Sequence, residues 1–208
     1  MSHDHRHGHD HEHTHHHSHG HQVPWNDRTA QWYEPGWSDP LLRRACESAE
    51  LGSSDVVIDV DCGDGRSLYA AAAWVTRGRL AGVVRTEQLS AAQAAAAAHP
   101  DAARLTMHAG TPESLPLEDG IASVAWSIRV LSAWTDPSRC VAELHRVLKP
   151  GGRLLIAAEA SACGIGDDAS NPAPLKTLLR SAGFRAVEVR RYRDGDARSV
   201  LFMASRGR

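Results

Sequence analysis

From residue 39 onward, short unbroken apolar runs alternate with longer stretches whose apolar positions recur at helical spacing. Asp39-Pro40 predicts an N-cap followed by Pro at the first helical position, opening a helix through about Glu50. Val56-Val57-Ile58 is β-branched and uninterrupted by polar residues, which reads as a strand buried on both faces, as in parallel sheets. A glycine-containing turn at Cys62 to Gly65 precedes a predicted helix from about Arg66 to Trp74. Leu80 to Val84 predicts the second strand, and the Ala-rich run from Glu87 to about His99 a helix stopped by Pro100. Further strands are expected at Arg104 to Ala109, Ile121 to Ser127 and Arg153 to Ala158. The last two are separated by a helix capped at Asp136-Pro137, running to Leu148, and a turn at Pro150-Gly151-Gly152. Pro174 to Ala182 predicts a helix closed by Gly183, and Ala186 to Tyr192 and Ser199 to Ala204 a hairpin around Asp194-Gly195. Strands alternating with helices and then a terminal hairpin imply an α/β fold. The expected architecture is a doubly wound, mostly parallel seven-stranded sheet with a C-terminal antiparallel hairpin. Ligands of such sheets bind beyond the carboxyl ends of the strands, near the topological switch point.

Composition divides the chain. Residues 1–22 hold most of its 14 histidines and almost nothing apolar, whereas residues 23–208 have the composition of one globular domain. His3, His5, His7, His9, His11, His13, His15, His16, His17, His19 and His21 are interleaved with Gly, Ser, Asp and Glu. Such a tract cannot bury a core and is expected to be disordered. Its neutral imidazoles suit a divalent transition metal, zinc, nickel, cobalt or copper, without selecting one, because no closed four-ligand site is spaced within it. A solubilising tail that becomes cationic in mild acid is the alternative. His99, His108 and His145 are scattered and read as loop or helix-surface residues rather than ligands.

A formal net charge of -2 leaves no basic surplus for nucleic acid, and no apolar run is long enough to span a membrane. The polar start lacks the apolar stretch of a secretory signal. Cys46, Cys62, Cys140 and Cys163 form no CxxC pair and read as small structural thiols in a reducing compartment, so a cytoplasmic location is expected.

Two stretches carry a family resemblance. Val57-Ile58-Asp59-Val60-Asp61-Cys62-Gly63-Asp64-Gly65 resembles the first motif of class I S-adenosylmethionine-dependent methyltransferases, and Glu143 to Leu154, with Arg146-Val147-Leu148-Lys149-Pro150-Gly151-Gly152, is similar to a second signature of that family. Glu113 to Gly120 resembles the family's loop after strand three, and Trp25 to Tyr33 its lead-in segment, so the likeness spans roughly residues 25–205. The resemblance implies S-adenosylmethionine as cofactor and a small-molecule methyl acceptor. It places Asp59, Asp61, Cys62, Gly63, Gly65, Arg85, Glu87, Thr111, Pro112 and Ser127 around the cofactor. The pattern departs from the family at four points: Asp61 stands at the first loop glycine, Val84 at the ribose-binding acid, Thr111 at an acid after strand three, and Ser123 at an acid in strand four. Glu87, Glu113 or backbone amides would then substitute as cofactor contacts. The alternative is a non-catalytic relative with a metal-binding or regulatory role. A reductase using NADP, suggested by Arg85, is opposed by Leu68, where the dinucleotide motif needs a small residue.

No catalytic residue is assigned. The loop Ser127 to Trp134 lacks the His pair that many family members carry there. Trp25, Trp32, Tyr33 and Trp37 could form a lid or simply pack on the sheet. The Ser161 to Ser170 loop reads as a surface connection, and Arg190, Arg191 and Arg193 as edge protection.

Overall fold

A computed structural model describes residues 39–208, so the histidine tract and the aromatic lead-in lie outside the described residues. Helix α1 (Pro40–Ser48) begins as the Asp-Pro pair predicts: the Asp39 carboxylate accepts from the Leu41 and Leu42 amides at 3.0 and 3.3 Å. The chain then runs through β1 (Val56–Val60), α2 (Arg66–Ala72), β2 (Arg79–Val84), α3 (Leu89–Ala98), β3 (Leu105–Ala109) and β4 (Ala122–Ile128). It continues with α4 (Pro137–Val147), β5 (Leu148–Glu159), α5 (Ala173–Ser181), β6 (Phe184–Asp194) and β7 (Ala197–Arg206).

The seven strands form one sheet in the order β3-β2-β1-β4-β5-β7-β6, parallel except for β7, which runs antiparallel to both β5 and β6. The doubly wound sheet and terminal hairpin expected from the sequence are therefore present. The order reverses between β1 and β4, where Val57, Ile58 and Asp59 register against Val124, Ala125 and Trp126. Alternation along β1 sends Val57 to a core shared with α1, α2 and α3, and Ile58 and Val60 to a second core under α4 and α5. Both faces are dry, which is why the central strands read as continuous apolar runs.

Three expectations need correction. The helix expected from Glu87 is preceded by a 3-10 turn, Thr86–Gln88, and α3 begins only at Leu89. The Pro150-Gly151-Gly152 turn does not separate β5 from the preceding helix. β5 already pairs at Leu148 with Ala122 and next at Arg153 with Val124, so Lys149 to Gly152 bulges out between two paired segments. His99, expected at the surface, is buried at 3% exposure and stacks on Tyr69 with ring centroids 4.9 Å apart. The apolar face of the Tyr69 ring gives the imidazole a place in the core that no sequence period reveals.

Among the described residues no helix is long and apolar enough to cross a membrane.

Candidate functional site

The carboxyl end of β1 turns sharply into α2 through residues with left-handed backbone: Asp61 at φ 60°, Gly63 at 56° and Gly65 at 82°. Asp is one of the few residue types that tolerate this region, so the chain keeps the turn although a carboxylate replaces the smallest residue. The Cys62 amide donates to the Val83 carbonyl at 3.1 Å, tying the turn to β2, and the Gly65 amide donates to the Cys62 carbonyl at 2.9 Å. A side chain on Gly65 would meet Tyr69 at 2.9 Å, whereas one on Gly63 would meet nothing within 4 Å. The loop is thus packed from below at Gly65 and open to an approaching ligand at Gly63.

The turn lines a cleft of about 300 Å³ whose walls include Asp39, Leu42, Asp59, Asp61, Asp64 and Arg129. Asp59, at 1% exposure, is its deepest polar group. The Ser67 hydroxyl donates to its carboxylate, and Trp126 stands beside it on β4. Burial pushes the Asp59 carboxyl up to about 7, against the Ser67 donor that favours its ionised form, and the charges of Asp61 and Asp64 push it further up. Burial likewise raises all four thiols, and no disulfide forms among them, so Cys62 enters the site as a neutral thiol.

Arg129 directly follows β4 with a left-handed φ of 66°. Its amide donates to the Ala157 carbonyl at 2.8 Å, and its guanidinium donates to both Asp39 oxygens and to Glu159 at 3.3 Å. These bonds hold the Asp39 carboxyl below its ordinary value although burial opposes them. Arg129 also lines a second cleft of about 480 Å³ with Glu159, Ser161, Asp194 and Arg198, so the ion pair between α1 and β4 forms the wall between two cavities. A non-glycine residue held at positive φ at the mouth of a cleft is strain of the kind that gathers at functional sites.

The cofactor residues named from the sequence are distributed as follows. Asp59, Asp61 and Cys62 line the smaller cleft, and Gly63 and Gly65 belong to the same turn. Arg85 and Glu87 follow neighbouring β2 as an exposed pair, their side chains 3.6 Å apart. Val84, at the position of the missing acid, is fully buried. Thr111 and Pro112 stand at the head of β3, where Thr111 bridges Ser114 across a tight turn. Ser127, near the end of β4, is buried at 1% exposure.

Two of the positions where the sequence departs from the family carry, or lie next to, structural contacts. Burial alone would raise the Glu113 carboxyl, but it accepts from the Thr135 amide and hydroxyl at 3.0 and 2.8 Å, and these bonds together bring it down to about 2, so Glu113 is engaged in holding the loop. Ser123, which replaces the strand-four acid, has a structural role. It lies at the amino end of β4, accepting from the Val56 amide at 2.8 Å, at the end of the strands opposite the cleft. Asp39, Asp64, Ser67 and Arg129 are cleft residues that the motif reading did not single out. Asp39 was visible only as a helix cap, and its partner Arg129 lies 90 residues away.

Among the described residues no three His, Cys, Asp or Glu side chains are placed to hold a metal ion. The eleven tail histidines proposed as metal ligands lie outside those residues.

Comparison with known proteins bears on these features. Residues 58–156 match a family described as "Methyltransferase domain". An uncharacterized 37.1 kDa protein in a Streptomyces fradiae transposon is 33% identical over 128 residues, covering 61% of this chain and 34% of that protein. The arsenite methyltransferase of Halobacterium salinarum is 28% identical over 156 residues, covering 68% of this chain and 40% of the relative. The chain thus spans well under half the length of these two relatives. A SAM-dependent methyltransferase from Aquifex aeolicus superposes with a TM-score of 0.65 at 19% identity, covering 85% of this chain and 97% of that one, which shows the shared fold.

Proposed function

We propose that this chain, which matches a methyltransferase-domain family over residues 58–156, transfers the methyl group of S-adenosylmethionine to a small-molecule acceptor. The observation that carries the reading is the turn from Asp59 to Gly65, which opens at the strand-order reversal onto a cleft of about 300 Å³. The residues fit the cofactor at its amino-acid end: Gly63 leaves the backbone open, and Asp59 and Asp61 present carboxylates to an ammonium group. At the ribose end Val84 offers nothing, and the acceptor of the hydroxyls is Glu87, whose present partner Arg85 is exposed and weakly held. When bound, the cofactor supplies an activated methyl on a sulfonium centre, and the protein's part is to orient an acceptor in line with it.

The second cleft, of about 480 Å³, supports a small-molecule acceptor because it has the size of an ordinary ligand pocket and shares the Arg129 wall with the first. The arsenite methyltransferase similarity points the same way. The sequence also supports a separate role for residues 1–22, capture of a divalent transition metal by the histidines, with residues 23–208 forming the catalytic domain in a cytoplasmic protein.

The buried Val84 and the committed Glu113 favour a second reading, a non-catalytic relative of the fold. Incubation of the full chain with methyl-labelled S-adenosylmethionine and small-molecule extracts separates the two. A labelled product of low mass is expected. Cofactor binding without any labelled product across diverse acceptor pools would favour the second reading. Equilibrium dialysis against zinc, nickel, cobalt and copper, with and without residues 1–22, tests the tail: several equivalents bound only by the full chain are expected.

A further inference from the structure

The smaller cleft carries more negative charge than its own cations balance. Asp64 is paired with Arg66 at 2.7 Å, and Asp39 is paired with Arg129. Asp59 and Asp61 form no ion pair among the described residues, although Asp59 is buried at 1% exposure, where an uncompensated carboxylate is costly. Asp61 occupies a left-handed position where glycine would be unstrained, so the turn geometry itself gives no reason for a carboxylate there.

We propose that Asp59 and Asp61 make the cleft select the sulfonium cofactor over the neutral thioether that remains after methyl transfer. The proposal rests on the reading of this cleft as the cofactor site. In the transfer, a lone pair of the acceptor forms the new bond to the methyl carbon, and the electron pair of the broken S–CH3 bond stays on sulfur. The positive charge therefore leaves the cofactor and passes to the acceptor, which keeps it or releases a proton. S-adenosylmethionine and S-adenosylhomocysteine are otherwise alike: the ammonium, carboxylate, ribose and adenine occur in both. In the ratio of their dissociation constants those shared contacts cancel, leaving the sulfonium charge and one methyl group. The ammonium common to both ligands offsets one of the two carboxylates, and beside the negative charge that remains in a partly dry cleft a unit positive charge is worth a factor of about ten in affinity. Spent cofactor then leaves because the attraction that held it has gone with the methyl.

The test is calorimetric titration of the full chain at pH 8 with each of the two ligands, for the wild type, Asp61→Asn and Asp61→Gly. Asparagine keeps the shape and tolerates the left-handed turn, and glycine relieves it, so both variants are expected to fold. The wild type should bind S-adenosylmethionine about tenfold more tightly than S-adenosylhomocysteine. In both variants that preference should fall several-fold, through weaker binding of the charged ligand. Equal or tighter wild-type binding of the thioether, or a preference unchanged in both variants, would overturn the proposal while leaving the cofactor site standing. Failure of both ligands to bind the wild type would remove the cofactor reading and this proposal with it.

Discussion

At the scale of single residues, Asp59 is where burial and chemistry oppose each other most sharply. Its carboxyl sits at about 7 against an ordinary 3.8, chiefly because it is dry, so the folded protein holds a proton there that the unfolded chain has already released. Between those two values stability falls as pH rises, and above about 7 the full cost remains. The groups that face it are Ser67 on α2, Trp126 on β4, Asp61, Cys62 and Asp64 in the turn and Cys46 on α1, and among these only carboxylates add charge. Asp59→Asn should remove this pH dependence. Urea denaturation at pH 8 should show the variant more stable than wild type by about 1–3 kcal/mol, with the difference shrinking toward pH 4. A variant equally destabilised at both pH values would show that the Asp59–Ser67 contact matters more than the charge. Gly82 makes a different kind of prediction. A Cβ there would lie 2.5 Å from the Cys62 sulfur and 2.6 Å from that of Met107, so Gly82→Ala should displace the turn and cost about 1–3 kcal/mol by urea denaturation.

At the scale of elements, the second sequence signature turns out to be a structural clamp. Glu143 on α4 accepts from the Leu115 amide at 2.7 Å. Arg146, one turn later, donates to the Leu115 and Leu117 carbonyls at 3.0 and 2.8 Å and to Asp119 at 2.6 Å. Together they hold the irregular loop between β3 and β4, which has no helix of its own. Arg146→Ala should destabilise the fold by about 2 kcal/mol, and limited proteolysis should cut faster between Leu115 and Gly120. The strand and helix alternation was legible because apolar period and turn residues agree at nearly every element. Boundaries failed where backbone irregularity decides: the 3-10 turn ahead of α3 and the bulge at Lys149 to Gly152 leave no mark on hydrophobic period. The first site motif was legible because it is local, seven residues from Asp59 to Gly65. The contact of Glu113 with Thr135 was not legible because that partner lies 22 residues away.

At the scale of the whole molecule, the site is assembled by the sheet order rather than by any segment. β1 and β4 are adjacent only because the winding reverses between them, and this brings Asp39 on the first helix to Arg129 at the end of β4. That contact closes one cleft and opens onto the other, and no motif spacing could have shown it. The pair is partly exposed, so its coupling is modest: a double-mutant cycle with Asp39→Asn and Arg129→Gln should return about 1 kcal/mol of interaction. Ligand binding should report on it more strongly than stability does, since both side chains line the smaller cleft.

Binding of S-adenosylmethionine in the turn at the end of β1, facing β4, is the proposal on which the others depend. Hydrogen exchange of the full chain with and without saturating S-adenosylmethionine tests it most directly. Slowed exchange should concentrate in residues 59–67, 85–88 and 127–131, with no change at Leu115 to Ile121 or Arg153 on other parts of the surface. Unchanged exchange in the Asp59 to Ser67 turn at millimolar S-adenosylmethionine, or protection confined to another region, would contradict the account.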